Sequence, residues 1–100
     1  MEKRSVTEDT VRAFERALHM EERAAGTIEN YLRHVRRFAA FLEDRPVDRE
    51  TVVLWKEDLL SHGYDPASVN AMLVALNKYF AFMRWPDCRT KALRLQKKLF

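Results

Sequence analysis

The chain has 100 residues, of which 47% are apolar and 33% are charged, and its formal net charge is +3. This size and composition predict one small globular domain with a single core and exclude a second domain. Two glycines and three prolines, set against many leucine, alanine, glutamate, lysine and arginine residues, favour helices over a sheet. The predicted fold class is therefore all-α.

The apolar runs of the sequence are far shorter than the roughly 20 residues of a membrane-spanning helix, and the first ten residues lack the apolar region of a signal peptide. We therefore expect an unexported, cytoplasmic protein without a membrane partner. The one cysteine, Cys88, cannot form an internal disulfide, which suits a reducing compartment. We expect this thiol to be unreactive, with a surface thiol as the alternative.

Two helices are predicted in the first half of the chain. The first covers about residues 7–22, because Ser5 to Glu8 has the spacing of a capping box and apolar residues then recur at helical spacing. The second covers about residues 28–43, because Thr27 follows a glycine as a candidate N-cap and a long apolar stripe continues behind it.

Two further helices are predicted in the second half. The third covers about residues 49–62, capped by Asp48 and ended by a glycine. The fourth covers about residues 66–84, since Asp65 followed by Pro66 supplies a cap and a proline at the first helical position. Five aromatic residues of the apolar stripes are expected in the core, with the two tyrosine hydroxyls free to point outward: Tyr31, Phe38, Trp55, Tyr79 and Phe80.

These boundaries divide the chain into a helical domain at residues 1–85 and a basic tail at residues 86–100. Ala92, Leu95 and Leu99 have near-helical spacing, so the tail is predicted to be a short fifth helix or the start of a helical linker. Its basic residues either keep a linker soluble or add non-specific affinity for a polyanion: Arg89, Lys91, Arg94, Lys97 and Lys98.

The small net charge conceals a strong asymmetry between segments. Residues 1–22 have a net charge of −2 and residues 43–65 a net charge of −4, whereas residues 23–42 carry +3 and residues 66–100 carry +6. If the second helix, the fourth helix and the tail share one side of the fold, that side forms a positive surface for a polyanion.

The stretch TIENYLRHVRRFA, residues 27–39, supports two interpretations. His34 and Arg37 fit an H-x-x-R pattern, a base and a guanidinium of the kind used in phosphoryl transfer. On a helical wheel, however, Arg33 and Arg37 lie opposite the apolar stripe, with almost no acidic residue nearby. They are either a solvated helix face or side chains that each meet a phosphate or a guanine edge.

The fourth helix offers a different set of polar residues. A flank of small residues at 67, 71 and 75 indicates either close helix packing or close approach of a ligand. Hydroxyl and amide groups can donate to phosphate, and asparagine can read adenine. The candidates for such contacts are Ser68, Asn70, Asn77 and Lys78.

Neither a metal centre nor a catalytic site is predicted. The histidines at 19, 34 and 62 lie on different elements without metal-ligand spacing, and the carboxylate pairs lie on polar helix faces without pocket residues around them. We therefore expect no catalytic residue, no metal, no cofactor and no small-molecule substrate.

Three patterns occur in order along the chain. They are T-x-x-x-Y-x-x-x-V-x-x-F-x-x-F-L in residues 27–42, then L-x-x-x-G-Y, and then P-A-S-V-N-x-x-L-x-A-L-x-x-Y-F-x-F-M in residues 66–83. With these patterns the sequence resembles the N-terminal core-binding domain of tyrosine recombinases, the phage-integrase family. The resemblance covers about residues 5–85. It implies a four- to five-helix orthogonal, SAM-like bundle that forms half of a clamp around duplex DNA, with the second and fourth helices facing the duplex.

Carried onto this sequence, the resemblance implies ten DNA-facing candidates: Thr27, Asn30, Arg33, His34, Arg37, Ser68, Asn70, Asn77, Lys78 and Arg84. In this family strand cleavage and rejoining belong to a following catalytic domain, whose ordered residues have no counterpart here, so the H-x-x-R match is interpreted as coincidental. The chain is expected to be part of a longer recombinase and to bind DNA without cutting it. Its acidic first helix is expected to meet another protomer.

A second functional class remains open at the level of sequence. A helical protein-interaction domain with a basic face would show the same charge asymmetry without binding DNA specifically. The dependence of duplex binding on salt distinguishes the two, because neutralised phosphates release counterions.

Overall fold

A computed structural model describes residues 3–94, and within this range it contains four α-helices, one 3₁₀ turn and no strand. The prediction of an all-α fold is confirmed. The helices are α1 (Glu8–Met20), α2 (Ala25–Leu42), α3 (Arg49–Ser61) and α4 (Pro66–Met83), and the 3₁₀ turn is Pro86–Cys88.

The starts of α3 and α4 agree with the predicted caps. The Asp48 carboxylate accepts a hydrogen bond from the Thr51 amide at 2.8 Å, and the Asp65 carboxylate accepts one from the Ser68 amide at 2.8 Å. Pro66 occupies the first turn of α4, where its missing N–H removes no intrahelical bond. Both helices end within one residue of the predicted position.

The predicted caps of α1 and α2 are wrong. The capping box of α1 pairs Thr7 with Thr10, each backbone amide donating to the other residue's hydroxyl. Helix α2 begins at Ala25, before the predicted cap Thr27, and Ala24 in N-cap position makes no side-chain hydrogen bond. Residues 24–26 are exposed, so water can satisfy the free amides of this first turn.

The core is centred on α4, whose inner face packs against α2 and α3. Phe38 of α2 joins the three helices, because its ring centroid lies 5.2 Å from that of Trp55 and 6.2 Å from that of Phe80. The predicted burial of four of the five core aromatics is confirmed. Tyr31 is only half-buried, with the Arg23 guanidinium 5.9 Å from its ring centroid. Tyr79 is fully buried, and its hydroxyl is hydrogen-bonded to that of Thr10 at 2.8 Å.

The tail does not continue as a helix within the described range. After the 3₁₀ turn, residues 89–94 are without helical structure, so the predicted fifth helix is wrong for this part. Leu95, Lys97, Lys98 and Leu99, on which the rest of that prediction depended, lie outside the described residues. Cys88 is fully buried, which excludes the surface thiol, and this burial raises the pKa of its thiol.

Candidate functional site

The outer face of α2 presents a short row of exposed polar side chains. Asn30, Arg33 and Arg37 are all exposed, and the Asn30 side-chain oxygen accepts a hydrogen bond from Arg33 Nη2 at 2.7 Å. Among the salt bridges of residues 3–94, none involves Arg33 or Arg37. Their charges are therefore available to an external anion.

Arg37 is held in place by the loop between α3 and α4. Its guanidinium carbon lies 5.4 Å from the ring centroid of Tyr64, and Nη1 donates a hydrogen bond to the Tyr64 hydroxyl. Stacking on an aromatic face restrains the long side chain without neutralising its charge. Arg33 and Arg37 are thus each oriented by a neutral neighbour, an amide in one case and a phenol in the other.

Arg36 differs from both neighbours because it points to α1. Its Nη2 lies 2.6 Å from a carboxylate oxygen of Glu8, and this contact lowers the pKa of Glu8 and raises that of Arg36. The positive face of α2 is consequently limited to Arg33 and Arg37.

His34 lies between these arginines and is half-buried. Its Nδ1 is buried without a hydrogen-bond partner among the described residues. Burial first, and then the charges of Arg33 and Arg37, lower the pKa of this imidazole and so favour its neutral form. Thr27 is half-buried in the first turn of the same helix.

Three of the four polar candidates on α4, Asn70, Asn77 and Lys78, are bound to other parts of the molecule. Lys78 Nζ lies 3.0 Å from a carboxylate oxygen of Glu21, which also accepts a hydrogen bond from Arg23 at 3.0 Å. These two cations lower the pKa of the Glu21 carboxyl. Lys78 is therefore held at the C-terminal end of α1 by a carboxylate that it shares with Arg23.

Asn70 and Asn77 lie on another flank of α4 and hold the tail. The Asn70 amide forms two hydrogen bonds with Leu93, donating to its carbonyl at 2.9 Å and accepting from its N–H at 2.6 Å. Asn77 donates to the carbonyl of Thr90 at 3.3 Å. We call residues 89–93 the strap, because this segment runs back along α4 antiparallel to the helix.

Helix α3 supports the strap from the opposite side. Lys56 Nζ donates to the carbonyl of Lys91 in the strap at 2.8 Å, and Arg49 Nε donates to the carbonyl of Asp87, in the 3₁₀ turn that precedes the strap, at 3.1 Å. The strap thus lies in the groove between α3 and α4, with backbone groups bound by both helices.

The remaining candidates are exposed. Ser68 lies in the first turn of α4, where its amide is bound by the cap, and its side chain faces outward. Arg84 terminates α4 in the left-handed conformation with φ 61° and is exposed. Of the small residues, Ala67 and Ala71 are exposed and Ala75 is buried.

Residues 11–86 match the family model described as phage integrase, N-terminal SAM-like domain. The chain belongs to this family. The SAM-like domain so identified corresponds to the core-binding domain of tyrosine recombinases that the sequence resembles. Neither a curated protein nor a solved structure matches the chain significantly.

The interactions that sequence reasoning missed in this SAM-like domain are long-range. Glu21 and Lys78 are 57 positions apart, and Asn70 and Leu93 are 23 apart, so no local pattern pairs them. The sequence also does not distinguish an asparagine whose side chain bonds to a neighbouring backbone from one whose side chain faces solvent.

The described residues contain neither a candidate metal site nor a membrane-spanning helix. Residues 3–94 contain no group of three or more histidine, cysteine, aspartate or glutamate side chains that could hold a metal ion. In the same range, no helix is both long and apolar enough to cross a bilayer.

Proposed function

We propose that this SAM-like domain binds duplex DNA as the core-binding domain of a site-specific tyrosine recombinase and forms half of the clamp that closes around the duplex. Membership of the integrase family supports the class of ligand. We expect the protein to act in the cytoplasm of a bacterial or phage-infected cell, where it would be associated with the nucleoid when bound to DNA.

One observation carries the choice of surface. Arg33 and Arg37 lie one helical turn apart on the exposed side of α2, and neither forms a salt bridge within residues 3–94. Arginines at this spacing can each donate to a backbone phosphate, or one can reach a guanine edge when the helix enters the major groove. Their preset orientation reduces the entropy lost on binding.

The other candidates differ in whether their side chains are available to DNA. Thr27, His34 and Ser68 can donate to or accept from the DNA backbone, and Arg84 can add a phosphate contact. Asn70, Asn77 and Lys78 are occupied by the strap and by Glu21. We therefore assign these three no contact with DNA in the conformation described.

Strand cleavage is assigned to a catalytic domain of the parent recombinase, because residues 11–86 correspond to the N-terminal domain of the family. No residue of this chain is given a catalytic role. Acidic α1 is the surface on which we expect another recombinase protomer to bind.

The proposal is tested by titrating a fluorescent duplex with the protein at several salt concentrations. Four to six phosphate contacts predict a slope of log K against log salt of about −4 to −5. Replacing Arg33 and Arg37 by alanine is expected to make the slope shallower by about 2. The matched control is Arg12→Ala with Arg16→Ala, which removes the same charge from α1.

An equal loss in the control variant would show that net charge, and not the α2 surface, determines binding. Affinity for the duplex no higher than for an acidic polypeptide of equal charge would instead favour a protein-interaction domain.

A further inference from the structure

A second concentration of cations lies on α3, away from α2. Arg49, Val53 and Lys56 from α3 and Arg89, Thr90 and Lys91 from the strap line an open hollow of about 600 Å³. We call it the basic hollow. Four of its side chains are cationic, and none of its lining residues is acidic.

The charges of the basic hollow are not neutralised within the described part of the chain. No salt bridge of residues 3–94 includes Arg49, Lys56, Arg89 or Lys91. The hydrogen bonds of Arg49 and Lys56 go to backbone carbonyls. The Asp87 carboxylate is bound by Arg4 at 2.7 Å, and this bond first, and then more weakly the charge of Arg49, lowers the pKa of Asp87. Four like charges on one concave surface repel each other, and a bound anion relieves this repulsion.

The basic hollow is distinct from the arginine surface of α2. Arg49, Val53 and Lys56 follow the spacing i, i+4, i+7 on one flank of α3. The opposite flank, with Asp58 and His62, borders Arg37 and Tyr64. Helix α3 therefore separates the two surfaces, and a ligand in the hollow does not compete with one on α2 for the same side chains.

The strap gives the hollow a linear arrangement of charge. It is extended where its carbonyls bind Asn77 and Asn70, and alternate residues of an extended chain are about 6.6 Å apart. This distance is close to two nucleotide steps along one DNA strand, at about 3.4 Å each. The side chains of Arg89 and Lys91 are thus spaced to reach two separate phosphates of one strand.

We infer that the basic hollow is a second phosphate-binding site and that its occupant is the sugar-phosphate backbone of duplex DNA. The identity of this ligand rests on the proposed function, whereas the existence of an anion site rests on the hollow itself. The hollow adds contacts at a flank of the DNA that the α2 surface does not reach. Contacts of this type hold the backbone and carry no base specificity.

The test uses Arg89→Gln with Lys91→Gln, because the side chains of these residues form no hydrogen bond among the described contacts and the strap keeps its backbone bonds. We expect the slope of log K against log salt on duplex DNA to become shallower by about 2. The control is Arg12→Gln with Arg16→Gln, which should leave the slope within about 0.5 of the wild-type value. Equal slopes in the hollow variant and the wild type would overturn the inference.

A second measurement separates this inference from the proposed function. Inorganic pyrophosphate is titrated into the ¹⁵N-labelled protein, and the amide shifts of Val53 and Thr90 are followed. Saturable shifts that disappear in the Arg89→Gln, Lys91→Gln variant support an anion site. If the salt slope on duplex DNA becomes shallower in the Arg33 and Arg37 variant but not in the Arg89→Gln, Lys91→Gln variant, only the inference is overturned. Pyrophosphate binding without any duplex binding overturns the proposed function and the assignment to DNA, and leaves a site for free phosphate.

Discussion

Helices α2 and α4 are both expected to face DNA, but their polar side chains are in different states. On α2, Arg33 and Arg37 are exposed and contact only neutral groups. On α4, Asn70 binds the strap and Lys78 binds Glu21. Two helices of similar length in the same bundle therefore differ in how many of their polar groups are available to a ligand.

The difference shows that exposure of a helix face is a property of the tertiary structure and not of the helix alone. The hydrogen bonds of the exposed arginines of α2 go to neutral partners, whereas α4 is flanked by an acidic helix end on one side and by an extended backbone on the other. The asparagine side chains of α4 form hydrogen bonds with backbone groups of the strap. Without these bonds, the same backbone groups would bind water.

The largest expected effect comes from removing the contact that fixes α2 against α4. Phe38→Ala deletes a fully buried ring that packs on both Trp55 and Phe80, and we expect it to lower the free energy of unfolding by about 3–5 kcal/mol. Urea denaturation measures this loss. Phe82→Ala is the control, since Phe82 is 38% exposed, and a similar loss there would mean that the Phe38 contact has no special role.

The next effect concerns the strap. Asn70→Ala removes both hydrogen bonds to Leu93, each worth about 1 kcal/mol, so protection of the Leu93 amide from hydrogen exchange should fall about tenfold or more. Asn77→Ala, which removes one longer bond, should have a smaller effect. If the Leu93 amide is unprotected in the wild-type protein, Asn70 is free in solution and the contrast between α2 and α4 disappears.

A smaller effect is expected from releasing Lys78. Glu21→Gln removes the carboxylate that pairs with Lys78 and Arg23, and α4 then resembles α2 in presenting an unpaired cation. Duplex binding should become about two- to fivefold tighter, with a salt slope steeper by up to about 1. Glu22→Gln makes the same change of charge at the next residue, which has no salt bridge among the described contacts. An equal gain in both variants would attribute the effect to net charge.

The smallest effect is a pH dependence that originates in His34. Burial lowers the pKa of this imidazole below its ordinary value of 6.5, so the folded chain binds the proton more weakly than the unfolded chain does. The corresponding stability is complete above about pH 6.5 and is lost as the pH falls through the lowered pKa.

Urea denaturation between about pH 5.5 and 7.5 should show this slope in the wild type and a flatter one in His34→Gln. The window lies above the range in which Glu8, Glu21, Asp65 and Asp87 titrate, because their pKa values are lowered from 3.8–4.5. His19→Gln is the matched control, as this histidine is exposed on α1. If the pH dependence of stability in His34→Gln equals that of the wild type, another group is responsible for it.

The parts of the fold that the sequence predicts well are those with a local chemical cause. Asp48, Asp65 and Pro66 define helix starts through hydrogen bonds within three residues or through a fixed φ angle. The start of α2 was mispredicted because Thr27 has the chemistry of a cap, while the actual first turn at Ala25 uses no side chain.

The state of the candidate site was less predictable for a physical reason. The apolar spacing of Ala92, Leu95 and Leu99 favours a helix, but backbone bonds from Asn70 and Lys56 stabilise an extended strap over the part that is described. Residues 43–65 have a net negative charge, yet folding brings Arg49 and Lys56 of this segment to one flank. The exposed positions of Arg33 and Arg37 on α2 agree with the helical wheel, and their contact with DNA remains a prediction.

The direction of the strap has a mechanical consequence. Between Asn77 and Asn70 the strap travels about 10 Å back along α4, seven residues at about 1.5 Å each, so residue 94 lies near the start of this helix and not near its end. Tension applied at residue 94 would load the Leu93 contact first, then that of Lys91, then that of Thr90. Contacts loaded one after another yield at low force, so a pull on the chain would peel the strap away while the helices stay packed.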